Sequence, residues 1–170
     1  HFGAPINIAQ TMDPSKLLVA DLDGDGDLDI LIGDSYGIAD GSSTNTRIYL
    51  LANNGDNTFT ESSQLFQGVQ LDDDIELQDI DGDGDMDLLA GTYLTGNGNA
   101  VSILSNDGTG LFTITEDLLG SSRFVTGDFD NDGDVDIAVE NYSLKIFNNE
   151  GGVFANETYT ISESVPFNFN

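Results

Sequence analysis

The sequence predicts an all-β fold of three four-stranded blades of the propeller type, each with an acidic loop between its first two strands, plus extra strands at both termini. Three observations carry this. An aspartate-rich loop of nine residues recurs at 21–29, 79–87 and 128–136. Short apolar runs stand before and after each copy, the pattern of two strands joined by a tight connection. Each copy is then followed by a third apolar run, an Asn/Gly turn and a phenylalanine that opens a fourth strand. Asp79 follows Asp21 by 58 residues and Asp128 follows Asp79 by 49, the spacing of propeller blades.

The first strand of each blade is expected at Leu17-Leu18-Val19-Ala20, Ile75-Glu76-Leu77-Gln78 and Phe124-Val125-Thr126. The second is expected at Ile30-Leu31-Ile32, Leu88-Leu89-Ala90 and Ile137-Ala138-Val139, with Gly33 and Gly91 closing the first two runs. The third falls at Arg47-Ile48-Tyr49-Leu50-Leu51, Val101-Ser102-Ile103-Leu104 and Leu144-Lys145-Ile146-Phe147. The turns Asn53-Asn54-Gly55, Asn106-Asp107-Gly108 and Asn148-Asn149-Glu150-Gly151 then lead to Phe59, Phe112 and Phe154, where the fourth strands begin.

The chain reads as one repeat domain over residues 1–170, divided into an orphan outer strand at 1–13, blades at 14–66, 67–120 and 121–160, and an orphan strand or tail at 161–170. Residues 1–10, with Ile6-Asn7-Ile8, resemble a fourth strand whose blade is missing, and Val165 to Phe169 supplies at most a first strand. Three blades are fewer than the about 4 to 8 that close a ring, so unpaired strand edges are expected. Such edges invite another chain.

Charge narrows the function. The 170 residues carry 31 Asp and Glu against 4 Lys and Arg, a formal charge of −27. Repulsion of this size opposes binding to nucleic acid and to anionic membranes, both of which depend on basic residues. Hydrophobic residues reach 38%, enough for a core, yet the charge places the chain near the disorder boundary unless something neutralises the acid. The absence of Cys removes disulfides, thiolate metal sites and thiol nucleophiles together. No apolar run approaches the ~18 residues of a membrane helix. With His1 first and neither a basic nor an apolar leader segment behind it, the two expectations are a signal already removed or an excised piece.

The loops read DLDGDGDLD, DIDGDGDMD and DFDNDGDVD, and they hold 15 of the 31 acids. Carboxylates at positions 1, 3 and 5 converge on one centre if the chain turns sharply at position 6, where Gly26, Gly84 and Gly133 stand. Position 7 then offers its backbone carbonyl and position 9 a further carboxylate. The candidate ligands are Asp21, Asp23, Asp25, Asp27 and Asp29 in the first loop and Asp79, Asp81, Asp83, Asp85 and Asp87 in the second. Asp128, Asp130, Asp132, Asp134 and Asp136 form the third set. Oxygen-only ligation favours calcium over zinc or copper, and magnesium gives up its water too reluctantly for so many carboxylates. Three calcium ions are therefore expected. An ordinary solvated turn gives no reason to repeat five like charges in nine residues three times over. The EF-hand is excluded, because its position-12 glutamate is replaced by Ile32, Ala90 and Val139, and the glycine-rich nonapeptide repeat of β-helices is absent.

Together the loops, the glycine after the second strand and the Asn-Gly turn before Phe resemble FG-GAP/VCBS repeats over nearly the whole chain. Repeats of this kind build the calcium-bearing propeller heads of integrin α subunits, some fungal lectins and many bacterial surface proteins. The resemblance implies calcium at the aspartates already named. Two departures are Glu140, where the earlier repeats have Gly33 and Gly91, and a very short connection around Asn141-Tyr142.

Other candidates are weaker. His1 is the single imidazole, at an end expected to fray, and no catalytic residue is expected. Lys16, Arg47, Arg123 and Lys145 are scattered singly, which suits surface or ion-pair roles. Asp72-Asp73-Asp74, placed just before a strand, reads as a solvated charge run more readily than as a metal site. Paired carboxylates leave glycosidase chemistry open by residue type, yet no pair outside the repeats stands out. The connections between second and third strands vary most, from 34–46 through 92–99 to almost nothing, and variable loops on a regular scaffold carry binding. Tyr36, Tyr93 and Tyr142 recur there, as core or rim residues or as platforms for sugar rings. Asn141 and Asn156 sit in N-glycosylation acceptor patterns.

The expected function is that of an extracellular, secreted or cell-surface, calcium-stabilised structural or adhesive protein that self-associates through open strand edges into a ring or filament. The alternative is a carbohydrate- or protein-binding module of a larger lectin or adhesin. Neither nucleic acid nor membrane insertion is expected.

Overall fold

The computed structural model describes residues 14–34, 45–140 and 144–157. They form strands and no helix: β1 (Pro14–Ala20), β2 (Asp29–Asp34), β3 (Asn45–Asn53), β4 (Phe59–Gln67), β5 (Val69–Gln78), β6 (Asp87–Leu94), β7 (Gly98–Asn106), β8 (Phe112–Leu119), β9 (Phe124–Gly127), β10 (Asp136–Glu140), β11 (Leu144–Asn149) and β12 (Phe154–Glu157). Each strand pairs antiparallel with its sequence neighbour, giving three four-stranded sheets in the orders β1-β2-β3-β4, β5-β6-β7-β8 and β9-β10-β11-β12. These are the three propeller-type blades. The extra strands expected at the termini lie outside the described residues, as do His1, Tyr36 and Tyr142 with the connections around them.

Alternation of side chains across each strand decides the packing. Leu88 and Leu89 are adjacent in β6, so they point to opposite faces and enter different cores. Leu88, Ala90, Leu104 and Phe112 pack with Leu31, Ile48 and Leu50 of the first sheet. Leu89, Val101, Ile103 and Leu118 pack with Ile137, Val139 and Phe147 of the third. With both faces covered, β6 is buried along nearly its whole length, whereas β4 is largely exposed.

Polar bonds fix the sheets against one another. The Leu71 amide donates to Thr46 Oγ1 (2.8 Å). Gln64 clamps Phe112, its Oε1 accepting from the Phe112 amide (3.0 Å) and its Nε2 donating to the Phe112 carbonyl (3.2 Å). The Thr126 hydroxyl donates to Glu76 Oε1 (3.0 Å). At Gly91 a Cβ would overlap the backbone carbonyl of Ser122, so the second sheet has a glycine where the chain enters the third. Glu140, at the matching place of the third sheet, is exposed. The departure from the repeat pattern therefore falls where no described backbone crosses.

Two sequence expectations are corrected. β5 begins at Val69, so Asp72-Asp73-Asp74 lies inside the strand at a register irregularity between Leu71 and Ile75, not before it. Also, β6 continues through Leu94 and β7 starts at Gly98, so the connection expected at 92–99 shrinks to Thr95-Gly96-Asn97, closed by the Asn97 amide on the Leu94 carbonyl (3.1 Å). Among the described residues no helix is long and apolar enough to cross a membrane.

Candidate metal centres

All three aspartate loops adopt the same path at the β1–β2, β5–β6 and β9–β10 connections. The backbone turns left-handed twice in each, at Gly24, Gly82 and Asn131 (φ 74°, 75° and 65°) and at Gly26, Gly84 and Gly133 (φ 94°, 99° and 106°). Position 6 is glycine in every loop, as the turn requires. Position 4 tolerates asparagine in the third, since Asn adopts this conformation more readily than other side chains.

The path gathers the carboxylates of positions 1, 3 and 9. Oxygens of Asp21, Asp23 and Asp29 lie within 4.8 Å of one another, and so do those of Asp79, Asp81 and Asp87 and of Asp128, Asp130 and Asp136. Position 9 is buried in each case. Both its oxygens are held by backbone amides. Asp29 accepts from Leu22 and Asn53 (2.8 Å each), Asp87 from Ile80 (3.0 Å) and Asn106 (2.8 Å), and Asp136 from Phe129 (2.7 Å) and Asn149 (2.8 Å). In the first loop Asp21 also accepts from the Gly24 and Gly26 amides (2.9 and 3.0 Å), which ties position 1 to the turn.

Positions 5 and 7 stand outside these clusters. Asp25, Asp83 and Asp132 each accept from the amide two residues on, at 2.8, 2.9 and 2.9 Å. The position-7 side chains face the turn between third and fourth strands. Asp134 Oδ2 accepts from the Gly151 amide (2.8 Å), and a Cβ on Gly55 or Gly108 would meet Asp27 Oδ2 at 2.6 Å or Asp85 Oδ2 at 2.5 Å.

Electrostatics agree with a site for a cation. Burial raises the carboxyls of Asp23, Asp85, Asp87 and Asp130 above the usual range, and neighbouring aspartates raise them further. Converging like charges disfavour ionisation until a positive charge stands among them. The donor set is all oxygen, carboxylate-rich and arranged on a glycine turn, which fits a hard divalent cation.

Sequence reasoning missed the asparagine that ends each third strand. Beyond the backbone bond to position 9, the side-chain amide of Asn106 donates to the carbonyls of Leu22 (2.9 Å) and Met86 (3.3 Å), and that of Asn149 to Ile80 (2.7 Å) and Val135 (3.2 Å). Each thus joins the loop of its own sheet to that of the preceding one. The signal was present in the repeated Asn of the Asn/Gly turns, which was read as turn chemistry alone.

The comparisons with known proteins concern these loops and the strands beside them. A family model described as FG-GAP repeat matches residues 14–51, and one described as FG-GAP-like repeat matches residues 79–139. No curated protein and no solved structure matches the chain significantly. With matched segments that reach all three of its sheets and the same loop in each, the chain belongs to the FG-GAP-type repeat family.

Proposed function

We propose that the chain is an extracellular, calcium-stabilised structural and adhesive repeat protein that associates with further copies of itself. FG-GAP repeats are structural and binding modules, typical of extracellular or surface proteins and not typically enzymatic. The observation that carries the calcium assignment is the triple convergence of carboxylates at positions 1, 3 and 9. In the first loop Asp21, Asp23 and Asp29 would hold one ion with the Asp27 carbonyl, and Asp25 would complete the shell directly or through water. The other loops would do the same with Asp79, Asp81, Asp83, Asp85 and Asp87, and with Asp128, Asp130, Asp132, Asp134 and Asp136. The bound ion supplies charge neutralisation and a cross-link between adjacent strands. The protein supplies a loop whose position-9 carboxylate is already oriented by two backbone amides.

Chelation tests this reading. At calcium ten times Kd each site adds about 1.4 kcal/mol, so three contribute roughly 4 kcal/mol. A whole domain has about 5 to 15 kcal/mol. Chelator should therefore lower the melting temperature sharply or unfold the chain. A melting curve indifferent to chelator would refute the calcium role.

A second reading, a glycan- or protein-binding module of a larger surface protein, is favoured by Tyr93, 48% exposed near the end of β6. Glycan-array binding by calcium-loaded monomer, lost in Tyr93→Ala, would support it. Binding unchanged in that variant would not.

A further inference from the structure

The two junctions between sheets are built the same way at their loop ends. The residue at position 2 of one loop plugs into a seat on the next sheet, formed by the asparagine and turn that follow its third strand. Leu22 is 1% exposed and enters the core between the first and second sheets. Its carbonyl receives the Asn106 amide, and it lies 3.8 Å from where a Cβ of Gly110 would stand. Ile80 is 4% exposed and enters the core between the second and third sheets, with its carbonyl on Asn149. A Cβ on Gly152 of that seat would come within 2.8 Å of Asp81.

The third plug and the first seat remain. Phe129 occupies position 2 of the third loop, and its amide donates to Asp136 as those of Leu22 and Ile80 donate to Asp29 and Asp87. Yet Phe129 is 43% exposed, and among the described residues no asparagine amide reaches its carbonyl. On the first sheet the matching seat is a cavity of about 320 Å³ lined by Asp27, Asn53, Gly55, Asn57 and Phe59. These correspond in register to Asp85, Asn106, Gly108, Gly110 and Phe112. Asn53 donates to its own loop at the Leu28 carbonyl (3.2 Å), as Asn106 does to Met86, but among the described residues it has no counterpart of the Leu22 bond.

We infer that the Asp27/Asn53/Asn57/Phe59 cavity is a docking seat for the third aspartate loop of a second copy of this chain, with Phe129 as the inserted side chain and its carbonyl on Asn53. The inference rests on the self-association reading above and names its contact as loop-in-seat in place of strand edges. A second copy is the occupant because the chain already makes this junction twice within itself, and Phe129 is the plug of the same class left exposed. Asn57 replaces Gly110 and adds an amide donor to a wall that must face an aspartate-rich loop. Glu140 stands where Gly91 lets the next backbone pass, so the contact concentrates at the loop end of the sheet. The arrangement is heterologous, with unlike surfaces meeting, so it closes into a ring where the rotation permits and otherwise propagates as a filament.

The test measures mass in calcium by sedimentation for the full chain and for Phe129→Ser, whose melting temperature in dilute solution is compared with that of the unaltered chain so that a loss of fold is told apart from a loss of contact. The expected results are species heavier than 18.1 kDa for the natural sequence and at least a tenfold weaker association for the variant. Because the chain has no Cys, Phe129→Cys and Asn57→Cys proteins can be mixed, and disulfide-linked pairs are expected in the mixture well above either protein alone. Association unchanged in Phe129→Ser would overturn the seat and leave self-association by strand edges standing. A natural chain that stays monomeric in calcium would overturn both. Protection of Asn57→Cys from a bulky thiol reagent in dilute monomer would give the seat to another part of the same chain and overturn the intermolecular contact.

Discussion

The side-chain amide of Asn106 donates to the carbonyl of Leu22 across the junction between the first two sheets, 2.9 Å away and 84 residues earlier in the chain. The same residue's backbone amide holds Asp87. One asparagine therefore connects a candidate metal loop to the preceding loop and its core plug.

Removing that amide should be costly. Asn106→Ala strands the buried Leu22 carbonyl and takes a bond from Met86, so a loss of about 1 to 3 kcal/mol is expected in urea unfolding at saturating calcium. Asn53→Ala, whose side-chain amide among the described residues reaches the Leu28 carbonyl alone at 3.2 Å, should cost less. Equal losses would mean that the bridge between sheets contributes nothing.

The position-2 residues should separate by burial. Leu22→Ala empties part of a packed core and should cost about 2 to 5 kcal/mol. Phe129→Ala should stay within about 0.5 kcal/mol in dilute monomer, as exposed substitutions do. A large loss at Phe129 under those conditions would show that its ring supports the fold.

At Gly91 the constraint is backbone. A methyl group would overlap the Ser122 carbonyl, which cannot swing away as a side chain can. Gly91→Ala should therefore cost about 1 to 3 kcal/mol by overpacking, while Glu140→Ala, at the exposed counterpart, should be nearly neutral. Thermal melting of the two variants side by side checks this, and a neutral Gly91→Ala would contradict the close approach.

Acidification should act in opposite directions with and without metal. Asp23, Asp85, Asp87 and Asp130 have carboxyls raised by burial first of all and by neighbouring aspartates besides, so the folded state holds their protons more tightly than the unfolded. Without metal, stability then rises as pH falls through the window just above the ordinary carboxylate range. Asp56 and Asp107, lowered by hydrogen bonds from the Thr58 and Thr109 hydroxyls, contribute stability that is lost only at lower pH. In calcium, protons compete with the ion, and stability should fall over the same window. Melting from about pH 7 to pH 5, in chelator and in calcium, should give slopes of opposite sign. Parallel slopes would argue against a shared proton and metal site.

The blades were legible because their signals are local. Nine-residue loops with fixed aspartates, apolar runs beside them and Asn-Gly turns before Phe59 and Phe112 each specify geometry within a few residues. What escaped depends on distant partners. The start of β5 was hidden because three consecutive aspartates oppose a strand assignment, and the bulge that admits them is set by pairing with β6. Thr92 and Leu94 looked like connection because their burial comes from β7 and, for Leu94, from Val69 and Phe66 as well. Clustering at positions 1, 3 and 9 was foreseeable from the frame. The orientation of Asp27 was not, since it lies against Gly55 in the turn after the third strand.

Calorimetric titration of the chelator-treated chain with calcium tests the central claim most directly. Three bound ions are expected, with affinities in the about 10⁻⁴ to 10⁻³ M range of extracellular modules, and Asp23→Ala should bind two. No calcium heat at these concentrations, or three ions still bound by Asp23→Ala, would contradict the assignment of the three aspartate loops as metal centres.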